Sequence, residues 1–169
     1  MPKPLSTAHP SYFDRYISLV PEDDLAVAFN NQLPLITALL KSIDEEKSNY
    51  AYAEGKWTIK ELLQHMTDTE RIFAYRSLCF ARGDKASLPG FDENEYAANS
   101  NAGTRSWNDL VEEFLLVRKT TEILFNSFTN EALNTSGIAN NNPTSALSMG
   151  FTVVGHVYHH SRILKERYL

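Results

Sequence analysis

The chain has 169 residues, 43% of them hydrophobic and 22% charged, and a formal net charge of -5. That length is one domain's worth, with enough apolar residues for a buried core, and an acidic balance without a Lys/Arg block argues against a nucleic-acid partner. Cys79 is the single cysteine, which excludes an internal disulfide and any zinc motif that needs two cysteines.

The N-terminal stretch MPKPLSTAHPSYF lacks the apolar core of a signal peptide. Residues 1–11 read as an extended tail on a single domain covering residues 1–169, with His9 solvated. No apolar run is long enough to span a membrane. The expectation is a soluble cytoplasmic protein without a membrane partner. The first predicted helix runs from Pro21 to Glu46. Pro21 suits a first turn, and Glu22, Asp23 and Asp24 suit the positive end of the helix dipole. Leu25, Ala28, Phe29, Leu33, Ile36, Leu39, Leu40 and Ile43 recur at helical spacing. Pro34 is expected to kink or split this helix.

The second helix has a stronger start. Thr58 is placed to cap it, and Glu61 three residues later completes a capping box. Trp57 and Leu62 flank the cap as a hydrophobic staple. This helix should reach Arg82, where Gly83 supplies the stop. A turn-rich loop follows over residues 83–105, with a short helical piece at 94–98. A third helix is expected over residues 106–127. A second polar loop, residues 129–145, is marked by Asn140-Asn141-Asn142 before Pro143. The last helix spans residues 146–168. Strand signals are weak throughout. The predicted fold is all-α: a four-helix bundle with longish connections between helices two and three and between three and four.

Three histidines carry the functional argument. His156 and His160 are four residues apart on the last helix, so their rings share a face and can grip one ion. His65 lies two turns beyond the capping box, at a rigid position, with Glu61, Leu62, Thr69, Ile72 and Arg76 on its face. Three imidazoles would leave one coordination position open, as catalytic metal sites do. The competing reading of His156 and His160 is two ordinary interior or surface histidines. His159 could substitute as a ligand, act as an acid–base group beside the metal, or be a half-exposed bystander. Gly155 would let backbone or ligand come close to His156. Val157 follows His156, so the HExxH metalloprotease arrangement is absent. Asp68 and Glu70 could assist catalysis but read better as solvated. Cys79 reads as a buried, inert thiol. Tyr50, Tyr52, Tyr96 and Trp57 are pocket or core residues.

The stretches YAYAEGKWTIKELLQHMTDTERIFAYRSLCFARGD, LPGFDENEYA and GHVYHHSRILKERYL resemble the DinB-like superfamily. That family includes YfiT-type metal-dependent hydrolases and bacterial low-molecular-weight thiol S-transferases. The most specific part is W[ST]xxExxxHxxDxE, here Trp57 to Glu70, together with the terminal HxxxH. The resemblance implies a four-helix bundle in which His65, His156 and His160 bind a divalent ion, zinc or nickel. It further implies a small-molecule substrate and a thiol cosubstrate. A homodimer using Phe13 and Tyr16 follows mainly from the resemblance. The expected function is metal-dependent thiol S-transfer or hydrolysis. The alternative is a non-catalytic, stress-associated bundle with a structural or vestigial site.

Overall fold

A computed structural model describes residues 2–169. Short 3-10 turns at Ser6–Ala8 and Ser11–Phe13 precede α1 (Asp14–Ile17), α2 (Leu25–Lys41) and α3 (Glu45–Ser48). Next come α4 (Ile59–Ala81), β1 (Ser87–Leu88), α5 (Glu93–Asn99), a 3-10 turn at Ala102–Thr104 and α6 (Trp107–Asn126). The chain closes with α7 (Asn130–Asn134), β2 (Ser136–Ala139), β3 (Asn142–Ser145) and α8 (Ala146–Ile163), which ends in a π-helical turn at Leu164–Tyr168. No helix among the described residues is long and apolar enough to cross a membrane.

The long helices α2, α4, α6 and α8 form a four-helix bundle in which α4 packs on α8 and α6, and α2 packs on the same two. The cap on α4 is as expected. Thr58 N–H donates to Glu61 Oε2 at 2.7 Å, and Glu61 N–H donates to Thr58 Oγ1 at 3.2 Å. These bonds satisfy donors that a helix start otherwise leaves unpaired. Thr58→Ala should therefore cost about 0.5–2 kcal/mol. A denaturation midpoint equal to that of the parent would disprove the cap's contribution.

Several expectations need correcting. The first long helix starts at Leu25, capped by Asp24, whose carboxylate accepts from Val27 N–H at 3.1 Å. Pro34 does not split it. The proline and Asn30, whose carbonyl loses its partner, both lie on the exposed face, where water can satisfy that carbonyl. The break falls later, at Ser42. Within the supposed tail, residues 6–8 and 11–13 are coiled into 3-10 turns. His9 is buried: its Nε2 lies 2.9 Å from Asp14 Oδ1, and Ser148 Oγ donates to the Ala8 carbonyl beside it at 3.3 Å. The second polar loop holds α7 and a hairpin. β2 pairs antiparallel with β3 and parallel with β1, giving a three-stranded sheet. Asn140 and Asn141 form the tight hairpin turn at φ of 49° and 60°, a left-handed conformation that asparagine tolerates.

A polar layer crosses the bundle between two apolar clusters. One cluster contains Phe29, Phe73, Phe125 and Val154; the other contains Ile36, Met66, Phe114 and Val157. Between these positions every long helix contributes buried polar residues, among them Gln32, Glu70, Arg118 and His156. Arg118 Nη2 meets Glu70 Oε2 at 2.8 Å, and Arg118 Nη1 donates to Gln32 Oε1 at 3.1 Å. Gln32 Nε2 donates to the Val154 carbonyl at 2.8 Å. Glu70 is therefore not solvated. Burial pushes its carboxyl pKa up, against the pull of the Arg118 charge. Asp68 is half-buried and accepts from Gln64 Nε2 at 2.9 Å.

Candidate metal centre

Because α4 and α8 are neighbours, His65 comes to face His156 and His160. His65 Nε2 lies 3.1 Å from His156 Nε2, and His160 Nε2 lies 3.0 Å from the same atom. The ligand atoms of all three residues fall within 4.8 Å of one another. Two nitrogens bound tetrahedrally to one zinc stand about 3.3 Å apart, given bonds of about 2.0–2.1 Å. The observed spacing is close to that, so the donor set fits an ion. His160 Nδ1 is buried and has no hydrogen-bond partner among the described residues, which leaves its tautomer to be set by what Nε2 binds.

The three rings are between 6% and 8% exposed. Burial lowers the His65 pKa from 6.5 to about 4, helped by repulsion from His159. Burial also pushes His156 and His160 well below the usual range, with mutual repulsion and, at His156, the Arg118 charge adding to it. Neutral imidazoles keep the lone pairs that a cation needs. The sign of the pH dependence follows. Between pH 6.5 and about 4 the unfolded chain binds a proton at His65 that the folded chain refuses. The stability of chelator-treated protein should thus be full above pH 6.5 and fall progressively as pH drops toward 4. Thermal melts across that window check it, and a His65→Gln variant should show a shallower fall.

The surroundings explain how the rings are held. The Trp57 ring lies 4.7 Å from that of His65. Tyr16 presents an edge to both His156 and His159, each at 5.4 Å. That contact depends on Gly155: a Cβ there would sit 2.1 Å from the Tyr16 carbonyl oxygen. The close approach expected at Gly155 is therefore made by the backbone of α1. Phe13 packs on Phe73 with centroids 6.0 Å apart. Phe13 and Tyr16, the residues expected to serve a dimer, are thus engaged within the chain.

The histidines open onto a cavity of about 560 Å³, a size typical of small-molecule sites. Residues 10–16, the loop around Gly90 and Phe91, and the β2–β3 turn close it. Thr69 and Arg76, expected on His65's face, line it; Ile72 does not. Trp57 lines it as well. Tyr50 and Tyr52 pack on Tyr168, and Tyr96 packs on Phe91. Cys79 is half-buried and lies off the cavity. His159 does not line it either; its ring stands against Tyr16 and His160. Sequence reasoning missed Thr144 and the hairpin as cavity walls. The only signal was the asparagine run, which marks a turn but not what the turn covers.

A model of the DinB superfamily matches residues 28–164. The chain belongs to the DinB superfamily. Over 77 residues, 45% of its length, this DinB-superfamily chain is 26% identical to a protein of Geobacillus thermodenitrificans (strain NG80-2) named "Putative metal-dependent hydrolase". The match spans 43% of that protein. Among solved structures it resembles one described as "YfiT from Bacillus subtilis is a probable metal-dependent hydrolase with an unusual four-helix bundle topology". The TM-score is 0.71 at 13% identity, over 97% of this chain and 90% of that one, which establishes a shared fold.

Proposed function

We propose that His65, His156 and His160 hold one divalent transition ion, zinc or nickel, and that the cavity is the active site of an enzyme acting on a small molecule. The observation that carries this reading is the convergence of three buried histidines' Nε2 atoms on the wall of a ligand-sized cavity. Three nitrogen donors leave a coordination position for a reactant, which a closed structural site would not. A bound ion would supply Lewis acidity, lowering the pKa of a thiol or water brought to it.

The reaction we favour is S-transfer, with a low-molecular-weight thiol as nucleophile. Among the cavity-lining residues only Glu93 carries a carboxylate, and it is exposed. Glu70 is committed to Arg118. The site therefore lacks an obvious general base, and a thiol deprotonated on ligation needs none. Tyr16 and Trp57 hold the rings in place and shield them from bulk water. Burial raises the Tyr16 hydroxyl pKa above the usual phenol range, so it stays protonated and can donate a hydrogen bond. Hydrolysis is the second reading, favoured by the names of the relatives.

Metal analysis of the purified protein should return one ion per chain. A thiol-consumption screen against electrophiles, run beside an ester and amide hydrolysis screen without thiol, separates the two reactions. Activity that survives complete chelation would overturn the metal-dependent reading. A tightly held ion with no activity in either screen would favour a binding or structural role.

A further inference from the structure

Arg76 is 6% exposed, lines the cavity, and has no carboxylate within ion-pair distance among the described residues. Its one hydrogen bond runs from Nη2 to the Pro89 carbonyl at 2.7 Å, and its other neighbours include the rings of Phe73 and Phe91. A buried guanidinium without a counter-charge is costly. The bundle's other buried arginine, Arg118, is compensated by Glu70 and Gln32. Two further groups on the cavity wall lack partners. Thr69 Oγ1 and Thr144 Oγ1 are buried without a hydrogen bond among the described residues. Elsewhere on α4, Thr67 and Ser77 turn their hydroxyls back onto the carbonyls of Leu63 and Phe73. Thr69 makes no such bond, so its hydroxyl is left for something in the cavity.

We propose that Arg76, with Thr69 and Thr144, forms an anion subsite that binds a carboxylate of the substrate or cosubstrate in the cavity, on the Arg76 side of the histidines. One buried, uncompensated positive charge matches a monoanion; a phosphate dianion would leave surplus negative charge. Arg76 follows His65 by three helical turns, so the two share a face of α4 about 16 Å apart along the axis. Helical side chains lean toward the N-terminus, which directs the guanidinium back toward the histidines. The ligand is therefore elongated, with a metal-seeking atom at one end and a carboxylate at the other. Its metal end rests on the function proposed above; its carboxylate end does not.

The test is a calorimetric titration with ω-mercaptoalkanoates, from mercaptoacetate to mercaptoundecanoate, and with the corresponding amides. It is run on metal-loaded and on chelator-treated protein. At the best chain length the acid should bind at least about tenfold tighter than its amide, as a charge-assisted hydrogen bond predicts. That preference should persist without metal. Arg76→Gln should abolish it while leaving metal content unchanged, and Thr69→Val should reduce it. Arg15→Gln should retain it, because Arg15 also borders the cavity but is exposed and stacked on Tyr12 at 3.7 Å. Equal binding of acid and amide, no binding of either, or a preference that survives Arg76→Gln overturns the subsite. Failure to load metal, with the acid preference intact, counts against the metal reading alone.

Discussion

His160→Ala will lose metal and activity together. Removing one imidazole leaves two nitrogens, His65 Nε2 and His156 Nε2, 3.1 Å apart, and opens the buried centre on one side. Retention of a divalent ion should collapse under dialysis that the parent protein survives. Turnover in the thiol-transfer or hydrolysis assay should fall by more than about 100-fold, beyond the effect of losing an outer partner of a metal ligand. His159→Ala is the informative comparison. His159 touches His160 and Tyr16 but not the cavity, so that variant should keep its ion and lose at most about 10–100-fold. Metal content and rate are measured on the same preparations. A His160 variant with undiminished activity would end the metal-centred mechanism.

Glu70→Ala will be among the most destabilising single substitutions in the bundle, at about 3–5 kcal/mol. The loss exceeds that of the carboxylate's own contacts because Arg118, 1% exposed, is left as an unpaired buried charge. The Arg118 charge also adds, as the smallest of several causes, to what opposes protonation of His156. Glu70→Leu combined with Arg118→Met removes both charges and should recover much of the loss, as apolar replacement of buried pairs often does. Urea unfolding of Glu70→Leu, Arg118→Met and the double variant gives the coupling directly. If Glu70→Ala unfolds at the parent's midpoint, the ion pair contributes nothing and the polar layer needs another account.

The contrast between Thr58 and Glu70 shows what could be read in advance. The Thr58–Glu61 box and the Gly83 stop are settled within a few residues, and each is where the sequence placed it. The histidine cluster was legible for a similar reason. Four-residue spacing fixes His156 and His160 on one face, and the cap fixes His65 near a helix start. Glu70 was misread because its surroundings come from another part of the fold: Arg118 reaches it from α6. His9 was misread because nothing in a Pro-rich stretch announces that Ser148 and Asp14 will enclose it. The strands, two to four residues long, are too short for alternation to register. Pro34 was judged by the hydrogen bond it removes, without regard to which face would be wet.

The cavity's construction bears on how such a protein could change its chemistry over time. All three histidines ride on α4 and α8, which the apolar clusters hold in register. Much of the opposing wall arrives on segments outside the bundle: residues 10–16, the Gly90 loop and the β2–β3 turn. Exchanging the Gly90 loop or the β2–β3 turn would recut the cavity while leaving the three histidines, and the Tyr16 that braces His156, in place. The histidine cluster and the shape of the cavity are thus separately heritable in this architecture, and a library confined to that loop and turn would vary the cavity without disturbing the cluster.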